Sequence, residues 1–367
     1  MKRFKALDVF RGATVCFMIV VNTPGSWSTT FSPLLHASWH GFTPTDLVFP
    51  SFLFAVGTSI SFVKRKWADN TSKEVLTKIF KRFAIIFLIG FFLYWFPFVK
   101  WTETGELVFK PLGTTRIMGV LQRIALCYLF GALMVHYLSQ RLLIVWSVIL
   151  LLAYWVILYA LGDYTLEGNF ARTLDIWLLG ENHLYKGEGI AFDPEGLLST
   201  LPAIVNVTAG YLAGAFIVKN QVSYETLAKL LLAAIGFIVL AYFWDLSFPI
   251  NKKIWTSSYV VLTIGIDLAL LAVIFYSTDF IKKPFNYYFF EVFGKNPLFI
   301  YLLSGFLVIL MFFIRIGGKQ TLYNYIYVNG FAWIDPYLGS FMFALTFMLI
   351  CWSVGYWMDR KKIYIRV

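Results

Sequence analysis

Between Asn22 and Asp46 the chain sets an asparagine, two of its four histidines, His36 and His40, and an aspartate. Histidine takes and gives protons near neutral pH without a large shift, so His36 is a candidate general base. The amide of Asn22 can hold a carbonyl or stabilise a developing oxyanion. Asp46 has two readings of equal weight. It can cap the helix that follows, where a carboxylate suits the dipole, or it can orient a histidine. The plain alternative for His36 is a polar residue at a membrane interface beside Trp39. Residues 23–44 hold no Lys, Arg, Asp or Glu at all, so the histidines are their only ionisable groups apart from the weakest acids.

The elements that must position these residues follow from composition. The chain is 59% hydrophobic, 20% aromatic and only 14% charged, too apolar for a soluble domain of 367 residues. Apolar stretches long enough to cross the membrane recur near residues 7–22, 45–63, 80–98, 115–138, 142–161, 197–218, 229–247, 256–276, 296–314 and 336–358. They are continuous rather than alternating, so helices and not barrel strands must satisfy the backbone. The expected fold is all-α: one polytopic membrane domain over 1–367, a bundle of about 10 (10–11) transmembrane helices. No internal repeat or low-complexity tract is evident.

The net charge of +11 follows this pattern of spans. Lys2, Arg3, Lys5 and Arg11 precede the first span; Lys64, Arg65, Lys66, Lys73, Lys78, Lys81 and Arg82 fill the loop after the second. Lys282, Lys283 and Lys295 precede the ninth, and Arg360, Lys361, Lys362 and Arg366 close the chain. With ten spans all lie on one side, which predicts a cytoplasmic (inner) membrane location with both termini in the cytoplasm. The basic excess is topological, which argues against nucleic acid as a partner and leaves membrane lipids and a phosphate-bearing cytosolic ligand as secondary readings. The start resembles a signal peptide but has no small-residue cleavage site after Val21, which predicts a retained span. Two outward loops stand out, 23–44 and the acidic 162–196. Cys16, Cys127 and Cys351 fall within spans, with no disulfide or zinc spacing.

Further charges invite the same weighing. Arg123 lies inside an apolar run, as a functional group or as the partner of Asp267 or Asp245 in a buried pair. Asp8 and Arg11 belong at the inner interface, paired with each other or with an anionic ligand. Asp193 and Glu195, in DPEG before the sixth span, are a helix cap or carboxylates for an amine or sugar hydroxyl. The GxxxxGK[ST], HExxH and GxSxG motifs are absent, and His40 to Asp46 is one residue too long for an HxxxxD acyltransferase site.

LDVFRG, VVNTPGSW and above all HASWHGFTPTDLVFPSFLFAVG, with GVLQRIALCY, DPEGLLSTLPAI, PINKKIWTSSYVVLTIG and FGKNPLFIYLLS, resemble the heparan-alpha-glucosaminide N-acetyltransferase family and its bacterial relatives, over nearly the whole chain. The resemblance implies a transmembrane acetyltransferase that takes acetyl-CoA, without a metal, from the cytosol and acetylates a terminal glucosamine amine on the far side. It places the catalytic histidine at His36 and an active-site asparagine at Asn22, and it implies a homodimer. His36 is then a base or a transient acetyl carrier, with Asp46 behind it. CoA phosphates need cations near the inner interface: Arg11, Lys295 with Asn296, the 64–66 cluster, and Arg123 deeper. Trp39 is an interface anchor or sugar platform, His40 a secondary polar contact, and Asp193 and Glu195 attract a protonated amino sugar. Two other readings compete: O-acylation of an envelope glycan, and a transporter using His36, Asp46 and Arg123 as a relay.

Overall fold

The computed structural model describes residues 5–67, 69–281, 287–318 and 320–365; Lys2, Arg3, Lys282, Lys283 and Arg366 lie outside them. Among the described residues thirteen α-helices carry the fold: α1 (Lys5–Asn22), α2 (Val48–Val63), α3 (Ser72–Trp95), α4 (Val120–Tyr137), α5 (Gln140–Leu161), α6 (Phe170–Leu179), α7 (Thr200–Asn220), α8 (Tyr224–Asp245), α9 (Ser257–Phe275), α10 (Tyr288–Lys295), α11 (Pro297–Phe313), α12 (Leu322–Gly330) and α13 (Pro336–Arg360). Two short antiparallel hairpins, β1 (Val99–Trp101) with β2 (Leu107–Phe109) and β3 (Arg315–Ile316) with β4 (Gln320–Thr321), close connecting loops.

Each of the ten apolar stretches lies on a helix, but fewer than ten helices are long and apolar enough to cross a membrane. Among the described residues seven qualify, or eight if α10 and α11, bent by 84° at their junction, count as one span. Charge is the reason for the shortfall. Lys5, Asp8 and Arg11 occupy the first half of α1, and α3 opens with Lys73, Glu74, Lys78, Lys81 and Arg82, so the uninterrupted apolar part of each is short. At the bend, Pro297 begins α11 and has no N–H to continue the ladder from α10.

Burial separates an inner from an outer ring. Windows of α2, α7 and α9 are 67%, 67% and 72% buried, whereas those of α5 and α8 are 28% buried. Leu142, Val145, Ile149 and Val156 of α5, and Leu232, Ile235, Leu240 and Phe243 of α8, present an apolar outer face suited to lipid. In a hydrocarbon surround helix contact relies on close packing of small residues. α2 and α7 meet that way: a Cβ on Gly57 would lie 1.9 Å from the Val207 carbonyl oxygen, and one on Gly210 2.0 Å from that of Phe54.

The connections gather at two opposite ends. At the end where α1 finishes, the Trp39 Nε1–H donates to the Tyr164 carbonyl at 2.8 Å, Gly41 N–H to Ile250 O at 2.8 Å, Trp101 Nε1–H to Phe313 O at 2.9 Å and Gly25 N–H to Ser340 O at 3.1 Å. Three of these bonds tie the segment between α1 and α2 to the α5–α6 loop, the α8–α9 connection and α13, and the other ties β1 to the end of α11. The opposite end holds the basic clusters, with Lys5 beside Glu291 and Lys295 beside Asp359.

Candidate active site

The turn that presents His36 is built around one buried carboxylate. Asp46 is fully buried, and its Oδ2 accepts from the Ala37 N–H at 3.1 Å, the Thr43 N–H at 2.9 Å and the Thr43 hydroxyl at 3.1 Å. Its Oδ1 takes the Nδ1 side of the His36 ring at 2.7 Å. Capping and histidine orientation, alternatives in the sequence, coexist here: the carboxylate closes a capping box with Thr43 and holds the ring. The Tyr259 hydroxyl donates to the Asp46 carbonyl at 2.6 Å, tying the turn to α9.

His36 and Asn22 both line a cavity of about 160 Å³. Its walls come from α1 (Met18, Val21, Asn22), α2 (Val48, Phe49, Phe52), α4 (Val120, Ile124) and α11 (Tyr301), and its polar rim adds Glu195 and Lys252. Mostly apolar walls with a few convergent polar groups are the usual make-up of a small-molecule site. Burial lowers the proton affinity of His36; Asp46 opposes that, and the Lys252 ammonium reinforces it. The ring is therefore neutral at physiological pH, and with Nδ1–H donated to a carboxylate its Nε2 is the open acceptor.

Glu195 is held in place from behind. The Arg116 guanidinium donates to Asp193 at 2.9 and 2.7 Å and to Glu195 at 2.5 Å, and it is sandwiched between the rings of Tyr94 and Tyr185, with centroids 5.0 and 4.8 Å away. One guanidinium serves two carboxylates, and the Lys252 ammonium on the same rim offsets the charge it leaves over. Burial pushes Asp193 up; it works on Glu195 in the same sense, but Arg116, Arg123 and Lys252 outweigh it and keep Glu195 ionised. Behind this pair Asp175 accepts from the Leu197 N–H at 2.9 Å, and burial raises its acid group to about 7.

Other candidates stand elsewhere than the sequence suggested. α4 begins at Val120, because Ile117 N–H bonds to His183 O at 3.2 Å and holds the preceding segment in the loop layer. Arg123 is thus in the first turn of α4, at the His36 end and not in mid-span. It pairs with neither Asp267 nor Asp245: it donates to the Gly196 carbonyl at 2.9 Å and to the Ser199 hydroxyl, and lies over the Trp255 ring. Asp267 accepts from Ser51, and Asp245 from the Ile250 N–H. Arg11, bonded to Asp8 and Ser59, and Lys295, bonded to Asp359, lie at the other end. Asn296 there binds the C-terminal segment through Ile363 O and Ile365 N–H at 2.9 Å each. The proposed phosphate-binding cations are therefore divided between the two ends. Trp39 is pinned by Tyr164 and packed 5.7 Å from Phe192 rather than open as a platform, and His40 contacts Asn251 at 3.3 Å.

Lys252 and Arg116 were not among the candidates. The available signal was a lysine pair, Lys252 and Lys253, set between two apolar runs on the side that the basic clusters leave. Among the described residues no group of three His, Cys, Asp or Glu side chains is arranged to hold a metal.

A family model described as heparan-alpha-glucosaminide N-acetyltransferase, catalytic, matches residues 3–243. Two curated proteins named heparan-alpha-glucosaminide N-acetyltransferase are similar to the chain. The Homo sapiens protein is 27% identical over 364 residues and the Mus musculus protein 26% identical over 365, each match covering 82% of this chain. The matches cover 52% and 53% of those proteins, so the chain spans about half the length of the curated relatives it matches.

Proposed function

The chain belongs to the heparan-alpha-glucosaminide N-acetyltransferase catalytic family, and from that premise we propose that it moves acetyl from cytosolic acetyl-CoA to the amine of a glucosamine-containing sugar on the far side of the cytoplasmic membrane. The observation that carries the reading is His36, fixed through Nδ1 by the buried Asp46 and lining an apolar cavity together with Asn22.

An ammonium cannot attack a thioester, so the acceptor must shed a proton at the site. Glu195 at the rim attracts the protonated sugar, the ammonium gives its first proton to water at the rim, and Nε2 of His36 takes a second as the free amine nitrogen closes on the carbonyl carbon. The N–C bond forms, the carbonyl electron pair moves onto oxygen beside the Asn22 amide, and the C–S bond breaks as the carbonyl returns. The proton on the imidazolium passes to the departing thiolate, leaving CoA and an amide. Asp46 stabilises the imidazolium and keeps Nε2 facing the cavity, the role a carboxylate plays behind a histidine base.

The cysteamine end must reach this cavity from the opposite end of the bundle. Arg11 and Asn22 are eleven residues apart on α1, a rise of about 16 Å, roughly half the ~30 Å core. In this reading a nucleotide that sinks to the level of Arg11 leaves only that span for the pantetheine arm. The inner-end basic clusters then face the cytosol.

The test is transfer from labelled acetyl-CoA to glucosamine by the purified protein in detergent, beside His36→Ala. The expected result is an alkali-stable amide product that the variant does not form above background. An alkali-labile product would mean a hydroxyl acceptor, and equal activity in both proteins would remove His36 from the reaction.

A further inference from the structure

Lys252 lies beyond the family match, which ends at residue 243, yet it enters the cavity beside His36. Its Nζ is 3.0 Å from Nδ1 and 3.0 Å from Nε2 of the ring. An atom at that range from both nitrogens would overlap Cε1 if it lay in the ring plane, so the ammonium sits above the N–C–N edge. The in-plane lone pair of Nε2, which takes a proton, stays open to the cavity. Asp46 Oδ1 stands 4.0 Å from Nζ, and the lysine side chain is only 17% exposed. A long cationic side chain held in this way is not a solvated surface group.

The position bears on the reaction. The attacking nitrogen hands its proton to Nε2 across about 3 Å, and the carbonyl carbon lies at a similar near-attack distance from that nitrogen. The carbonyl oxygen then comes within reach of an ammonium that is itself 3.0 Å from Nε2. Resting on the acetyltransferase reading, we propose that Lys252 is a catalytic residue: its ammonium donates to the acetyl carbonyl oxygen as negative charge develops there. Lys252 keeps its proton throughout, since the amine proton goes to Nε2 and then to the thiolate. Its contribution is electrostatic, a fixed donor aimed at the oxyanion.

The same charge has a second, independent effect. The charged groups facing His36 are Asp46 from the turn before α2, Glu195 from the segment before α7 and Lys252 from the α8–α9 connection. Behind them stand Arg116 and Asp193 on Glu195, and the Lys253–Glu188 pair beside Lys252. Asp46 and Glu195 favour the imidazolium; burial and Lys252 oppose it. Removing the ammonium must therefore raise the proton affinity of His36 and move its titration to higher pH.

The experiment compares the wild-type chain in detergent with Lys252→Met and Lys252→Arg, using acetyl-CoA and glucosamine for turnover. Diethyl pyrocarbonate is the probe of His36, with carbethoxylation followed by mass spectrometry across pH. For Lys252→Met the expected kcat loss is about 10²–10³-fold with KM for acetyl-CoA little changed, and the midpoint of His36 carbethoxylation moves to higher pH. Lys252→Arg recovers part of kcat and returns the midpoint towards wild type. Retention of kcat within about twofold in Lys252→Met overturns the proposal. So does a kcat loss with an unmoved midpoint, which is the mark of a merely structural side chain. If the wild type transfers no acetyl while the midpoint still moves, the acetyltransferase reading falls, and with it the role at the carbonyl.

Discussion

At the His36 end, Asp46, Arg116, Asp193, Glu195 and Lys252 are wholly or largely buried and join segments up to two hundred residues apart. At the opposite end Arg65, Lys66, Lys73, Lys78 and Lys81 point into solvent, and the pairs that do form, such as Arg11 with Asp8, are partly local. A buried charge persists only where partners offset its desolvation, so the first set is fixed in geometry. The exposed cations of the second, unlike its Lys295–Asp359 pair, are fixed only in sign and side. Charge at one end is arranged for what it touches, and charge at the other for where the chain sits in the membrane.

The sharpest way to break this contrast is Asp46→Asn. The substitution keeps the shape, but its amide N–H can donate to Nδ1 and so place the proton on Nε2, where the acceptor needs a lone pair. A loss in kcat on the order of 10⁴ is expected, as for an amide replacing the carboxylate behind a histidine base, with the fold retained through the Thr43 and Ala37 contacts. A turnover within tenfold of wild type would mean that the tautomer of His36 is set by something other than Asp46.

Next in size is Arg116→Met. It strands Asp193 and Glu195, 2% and 9% exposed, without their common counter-ion, at an expected cost of about 3–5 kcal/mol. Both carboxyls then titrate above their unfolded values, so the unfolded state releases protons that the folded state keeps. The deficit relative to wild type is smallest near pH 4–5 and grows as pH rises. Thermal unfolding in detergent across pH 5–8 measures this. A deficit independent of pH would mean that the lost stacking on Tyr94 and Tyr185, and not the charge, is what matters.

The two ends also differ in how much of them the sequence disclosed. The helices were legible because lipid demands continuous apolar runs, and each of the ten runs lies on one. Their adequacy as spans was harder to judge, since Lys5, which pairs with Glu291 on α10, and Arg11, which bonds Asp8 and Ser59 of α2, are counted as charge whether or not they meet lipid. His36, Asn22 and Asp46 could be singled out because they are close in sequence and stand in a loop without other charges. Lys252 and Arg116 could not, because their roles exist only once the α8–α9 connection reaches the cavity and the segment between β2 and α4 reaches Glu195. Arg123 was misplaced for a related reason: hydropathy does not mark where a helix begins, and the loop bond from Ile117 to His183 delays α4 to Val120.

The smallest effect is expected from the pair Arg65→Gln and Lys66→Gln at the other end. Both side chains are exposed, and neither forms an ion pair among the described residues, so stability should change by no more than about 0.5 kcal/mol. Turnover should stay within about twofold, because a solvent-screened charge more than a Debye length of about 8 Å away has little hold on the His36 cavity. What such residues do influence is insertion, where the bias in basic residues sets which side a loop remains on. Protease accessibility of the α2–α3 loop in sealed vesicles reads that orientation separately from activity. A tenfold rise in KM for acetyl-CoA in the double variant would blur the contrast between the ends, since it would make this cluster a phosphate contact as well as a topological signal.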